Sequence, residues 1–154
     1  MAAAVTFRKA VLADCEYLSS RLRVSDVAEI YAMSGEQPLE ALTYSYAKSK
    51  GDVWVAEESC GAPIAIIGVS ATDTPGVGMA WMLGTDKAYG KRVLRHSHAF
   101  LELLHEKYQT LFNYVPQGAL KLIRWLTWCG FTVTHAPLPM GPHKVPFLLF
   151  YKHR

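Results

Sequence analysis

The segment TDKAYGKRVLR, residues 85–95, sets Lys87, Lys91, Arg92 and Arg95 around one glycine, Gly90, where a helix is about to begin. Cations at a helix N-terminus can hold phosphate through charge-assisted hydrogen bonds, and a glycine lets backbone approach an anion closely. The same residues also read as a solvated basic face. Asn113 interrupts the apolar run TLFNYV, so its carboxamide must pair with backbone groups or touch a ligand. His98 and His105 stand seven apart on a prospective helix, two turns or about 10 Å, too far for one metal ion, and read as packing or surface groups. Cys129 beside Gly130 has no His, Asn or Asp arrangement to activate it and reads as a small buried hydrophobe.

Alternation and capping signals supply the elements that must carry these residues. VTFRKA reads as a strand, and Asp14 as the N-cap of a helix bearing Cys15, Leu18 and Leu22. Asp26 and Glu29 have capping-box spacing for a second helix with Val27, Ile30 and Tyr31 inward. Pro38 opens a third with Leu39, Leu42 and Tyr46 on one side. DVWVAEE, the turn SCGAP and IAIIGVS predict a hairpin whose second strand is central, and VGMAWML adds another strand. A helix over about 90–108, capped by Asp86, packs Leu94, Leu101, Leu104 and Tyr108 on the sheet. TLFNYV, a helix from PQGALKLIRWLTWCG, then FTVTHA and VPFLLFY close the chain. Trp54, Trp81, Trp125 and Trp128 read as core, with Trp81 placed to wall a channel, and Arg124 as a surface or ion-pair residue. The order predicts one α/β domain over 1–154 with a mixed sheet.

Composition narrows the function. Lys and Arg total 16 against 13 Asp and Glu, a net charge of +3 that argues for no nucleic-acid partner. Cys15, Cys60 and Cys129 are widely spaced without a CxxC, which excludes a disulfide framework and a zinc knuckle and predicts no metal. No apolar run spans a bilayer and the start lacks a signal peptide, so the expectation is a reduced, intracellular chain with no membrane partner.

The element order, with WVAEESCGAPIAIIGVS as second and third strands and LKLIRWLTWCGF as a last helix ending in Gly-Phe, resembles the GNAT N-acetyltransferases. The resemblance implies a mixed, centrally splayed β-sheet flanked by helices, with acetyl-CoA as co-substrate. It implies that Met82, Leu83 and Gly84, next to Trp81, offer backbone to the pantetheine arm, and that Gly90, Lys91 and Arg92 meet the pyrophosphate. Asn113 joins them as a cofactor-site candidate. The chain departs from the family pattern in two places. It lacks the spaced glycines of the phosphate loop, and Leu126 stands where a Tyr commonly serves as general acid. Tyr114 is a candidate replacement, otherwise packing in the sheet. Glu29 is a candidate general base, with capping as the preferred role.

LRVSDVAEIYAMSG, WMLGTD and EKYQTLFNYV followed by LKLIRWL are further similar to the phage internal virion protein A family of acetyltransferase-like proteins. That resemblance implies phage origin and a place in the host cytoplasm or the virion. Two functions follow: acetyl transfer to an amine on a host or phage target, or a non-catalytic scaffold binding a host or phage protein. VPFLLFY offers a strand edge for a homodimer.

Overall fold

The apolar run predicted as a central strand becomes β3 (Pro63–Ala71), paired with β2 (Val53–Glu57) on one side and β4 (Val77–Gly84) on the other. It is buried along nearly its whole length, which explains why its sequence is apolar at successive positions rather than alternate ones. The computed structural model describes residues 4–154. Beyond β2 lies β1 (Thr6–Lys9), and past β4 come β5 (Thr110–Pro116), β8 (Val145–His153) and β6 (Thr132–Val133). A short β7 (Leu138–Met140) also pairs with β8. All neighbours run antiparallel except β4 and β5, so the sheet is mixed as expected.

Helices cover both faces. Three of them, α1 (Leu12–Ser19), α2 (Val24–Ser34) and α3 (Pro38–Lys48), lie on one side, where Cys15, Leu18 and Leu42 meet Val53, Val55 and Ile66. On the other, α5 (Ser97–His105) and α6 (Leu120–Trp128) bring Leu104 and Leu126 against Val69, Leu111, Val115 and Leu148. The short α4 (Lys91–Leu94) adds Val93 to a cluster with Ala65 and Ala88. Burial of these groups is the main stabilising term, at about 25 cal/mol per Å² of apolar surface removed from water.

Several expectations need correction. The single helix over 90–108 is two, because the Ser97 hydroxyl donates to the Leu94 carbonyl (2.6 Å) and competes with the helical ladder at the break. Asp14 is not an N-cap: it is the third residue of α1, and its carboxylate accepts from the Val11 N–H (2.8 Å) and from Arg8. Asp26 and Glu29 form no capping box, since α2 starts at Val24 and Asp26 is already in its first turn. Ile30 is buried, but Val27 and Tyr31 face solvent at 36% and 50% exposure. Leu39 is likewise exposed while Leu42 is buried. Pro38 does open α3, with the Gln37 N–H donating to Glu40. The β8 edge is not open for self-association, because β5 takes one side and β6 with β7 the other. Pro139 faces Pro146 across the β7–β8 pair, and those prolines, which cannot donate, hid β7 in the sequence. Trp128 is exposed rather than core, its ring tilted against the surface His98 (4.3 Å between centroids).

His105 is buried. Its Nδ1 lies 2.9 Å from the Tyr108 carbonyl oxygen and its Nε2 has no partner. Burial lowers its pKa, so the unfolded chain binds more protons than the folded one once pH falls below the unperturbed histidine value of about 6.5. Stability is therefore full at neutral pH and drops on acidification through that range. Thermal melts at about pH 7 and about pH 5.5 should show a fall in Tm that is smaller in His105→Leu, and an unchanged fall would refute the assignment.

Candidate functional site

The β4–β5 ladder is short. It pairs Val77–Met79 with Thr110–Phe112, and then the two strands diverge while β4 continues to Gly84 and β5 to Pro116. Asn113 sits at the fork. Its Nδ2 donates to the Ala80 carbonyl (2.6 Å) and its Oδ1 accepts from the Tyr114 N–H (2.8 Å), so one side chain replaces the next rungs of the ladder. Of the two roles open to this amide, backbone pairing is the one seen.

Alternation fixes what each strand offers the gap. Bonds from Thr72 N–H to the Val77 carbonyl and from Thr85 N–H to the Ile64 carbonyl put the odd-numbered β4 residues in register with β3. Even-numbered residues then turn N–H and C=O toward the fork. Ala80 spends its carbonyl on Asn113. The N–H of Gly84 donates to Asp26 Oδ2 (2.8 Å) and its carbonyl accepts from the Arg23 N–H (2.9 Å). Between them the N–H and C=O of Met82 point into the fork, where β5 no longer runs in register. Leu83 is odd and its backbone belongs to β3. Gly84 is needed for packing, because a Cβ there would meet Ala88 Cβ at 2.5 Å and the Ile64 oxygen at 2.6 Å.

A cleft of about 190 Å³ fills the fork. Side-chain alternation divides its lining between the two faces of the sheet. Met82, Asn113 and Val115 belong to the side of α5 and α6, with Phe100, Leu122 and Leu126. Trp81, Leu83 and Tyr114 belong to the side of α1–α3, with Glu29 and Ser45. The cleft therefore passes through the sheet, and a molecule on one face can meet a molecule on the other.

Glu29 is half-buried, lines this cleft and makes no hydrogen bond among the described residues. Burial pushes its carboxyl up to about 7, the negative charge of Asp26 adds to the rise, and Arg23 opposes it. A carboxyl tuned to that range can take a proton at neutral pH. The capping role preferred from sequence gives way to a place in the cleft.

In the loop from β4 to α4, Tyr89 turns inward, with the Arg23 guanidinium 3.8 Å over its ring and Trp125 edge-on at 5.6 Å. Burial holds the Tyr89 hydroxyl protonated far above the ordinary tyrosine range. Val93 is buried beneath it. Lys87 and Arg92 both reach Glu58, at 2.9 and 3.3 Å, whereas Lys91 and Arg95 are exposed. Gly90 precedes α4 with an ordinary φ of −77°. Asp86 is exposed in the loop, several residues before α4, and caps no helix.

Leu126 is buried at the cleft wall, where it can donate no proton. The Trp125 indole N–H donates to Ser97 Oγ (3.1 Å), tying α6 to α5. Cys129 is buried, and burial raises its thiol pKa, as fits a packing residue. Arg124 is exposed. No group of His, Cys, Asp or Glu among the described residues could hold a metal ion, and none of the described helices is long and apolar enough to cross a membrane. The residues missed in sequence are Arg23 and Asp26 in its true role. Their contacts reach across the chain to Gly84 and Tyr89, and no local spacing announces them.

A splayed β4–β5 pair between helical layers is the architecture of the GNAT acetyltransferases, and solved structures agree. The chain is similar over 97% of its length to 97% of Ard1 from Thermoplasma volcanium, with a TM-score of 0.75 and 16% identity. An acetyltransferase of the GNAT family from Bacillus anthracis matches with a TM-score of 0.71 and 11% identity, covering 99% of this chain and 96% of that one. A GNAT superfamily phosphinothricin acetyltransferase from Sinorhizobium meliloti, solved in complex with AcCoA, matches at 0.68 and 15% identity over 97% and 88%. The protein has the GNAT fold. No protein-family model matches the chain and no curated protein matches it, so the narrower likeness to phage internal virion proteins gains no support.

Replacing Asn113 by Leu should strand the Ala80 carbonyl and the Tyr114 N–H and cost about 1–3 kcal/mol. Urea unfolding measures it, and a loss within about 0.5 kcal/mol would show that the amide does not hold the fork.

Proposed function

We propose that the protein transfers an acetyl group from acetyl-CoA to an amine through the cleft in its sheet. The observation that carries this reading is the pairing of an unclaimed backbone edge at Met82 on one face with the tuned carboxyl of Glu29 on the other. The pantetheine arm, which carries amides, would lie beside β4 like an added strand and bond Met82. Leu83 and Gly84 contribute shape there rather than backbone bonds. The pyrophosphate would meet the exposed Lys91 and Arg95 in place of a glycine nest, with Arg92 and Gly90 beside them.

Glu29 takes a proton from the ammonium, and the freed amine nitrogen attacks the thioester carbonyl. A C–N bond forms, the C–S bond breaks, and CoA departs as a thiolate. Tyr114, at the fork, supplies the proton that Leu126 cannot. The nitrogen's second proton passes to solvent.

A second reading keeps the GNAT scaffold without chemistry, as a protein that binds a partner. The filled loop, the Glu58 pairs and Leu126 favour it.

Calorimetry with acetyl-CoA decides between them. The enzyme reading expects saturable binding, weakened severalfold in Lys91→Ala and by added salt, but changed within about twofold in Gly90→Ala because no cradle depends on that glycine. No heat at about millimolar acetyl-CoA would install the scaffold reading. For the active enzyme, the rate should rise with pH through about 7 as Glu29 ionises. Glu29→Gln should remove that limb and about a hundredfold or more of the rate.

A further inference from the structure

The α1–α3 side of the cleft has a lopsided chemistry. Among the described residues, Glu29 is its one charged group, and no Lys, Arg or Asp lines the cleft. His96 also lines it, but from the break between α4 and α5 on the opposite side of the sheet. Around Glu29 stand Trp81, Leu83 and Tyr114, with Ser45 as the remaining polar side chain. The Trp81 indole N–H is already committed to Ser49 Oγ (3.0 Å), so the residue offers an acceptor the face of its ring and no donor. Gly68 makes room for that ring, since a Cβ there would lie 2.5 Å from it. The nearby Asp26 is buried and engaged by Arg23 and Gly84, which leaves it unable to bind a second cation.

Resting on the acyl-transfer reading, we infer that the acceptor is a lipophilic monoamine, a single ammonium on an aromatic or alkyl body. The ammonium pairs with Glu29 and lies against the Trp81 and Tyr114 rings, which attract cations through their faces. The body fills the apolar remainder. Other amine classes leave something unmet. A polyamine brings further cations to a site with one carboxylate. An amino acid brings a carboxylate to a lining with no cation, the neighbouring Arg23 being engaged by Asp26, and burying it unpaired is costly. A peptide N-terminus brings amide groups that need several partners, where the walls supply Ser45 and Tyr114.

The test compares 2-phenylethylamine and hexylamine with spermidine, glutamate and a short peptide bearing a free N-terminus, following release of the CoA thiol. The expected result is kcat/KM at least about tenfold higher for the two monoamines. Equal or better turnover of spermidine, glutamate or the peptide overturns the inference while leaving acyl transfer intact. Absence of acetyl-CoA binding sinks the acyl-transfer reading itself, and amine binding to the protein alone, followed by tryptophan fluorescence, still tests the acceptor site. There 2-phenylethylamine should bind more tightly than 2-phenylethanol, and Glu29→Gln should shrink that preference at least about fivefold. No binding of either monoamine, or an unchanged preference in the variant, overturns the inference.

Discussion

The carboxylate of Asp26 ties the start of α2 to the end of β4. It is 1% exposed and joins residues far apart in sequence: Arg23 Nε at 2.9 Å and the Gly84 N–H at 2.8 Å. Burial raises its pKa, against the opposing pull of the Gly84 N–H and Arg23. What it supplies is position. With the Gly84 carbonyl taken by the Arg23 N–H, the last residue of β4 is bound at N–H and C=O by the start of α2 rather than by β5. The fork thus has two fixed ends, Asn113 where the strands part and Asp26 where β4 finishes.

The same carboxylate sets the chemistry between those ends. Its charge is the second cause of the raised Glu29 pKa, after burial. The Arg23 that accompanies it lies over Tyr89 and so fastens the loop that leads to α4. A change at Asp26 would therefore move the strand, the loop and the proton affinity of Glu29 together. These are not three independent features of the site, and their common origin explains how a loop without spaced glycines keeps a defined shape.

How much of this was legible in the sequence follows from the range of the interactions. Strand alternation, the apolar run of β3, Pro38 at the start of α3 and the Gly-Phe stop after α6 are local, and each predicts its element. Helix starts were misplaced by the same offset at Asp14 and Asp26. A carboxylate at the third helical position and one at the N-cap both sit near free N–H groups, and spacing alone does not separate them. Asn113 was visible as an anomaly with its two roles open; the direction of its amide needed the register of β4 against β5. Glu29 was visible as a carboxylate but assigned to a cap, because its raised pKa depends on burial contributed by other segments. Arg23 carried no signal, since its value lies in contacts with distant residues.

The absence of an acid at Leu126 weighs less than it first seems. Breaking a thioester releases a thiolate whose conjugate acid, like other thiols, has a pKa of about 8.5, so it can leave without being protonated in the same step. The harder demand is on the amine, which is an ammonium near neutral pH and cannot attack until it loses a proton. On the acyl-transfer proposal that demand falls to Glu29, whose carboxyl burial pushes up to about 7. In the same proposal, donor binding through the backbone of Met82 would ask little of side-chain identity, because N–H and C=O groups are the same in every residue but proline. The acyl-transfer proposal thus needs neither the glycine loop nor the tyrosine: it rests on an open strand edge, a passage through the sheet and the raised carboxyl of Glu29.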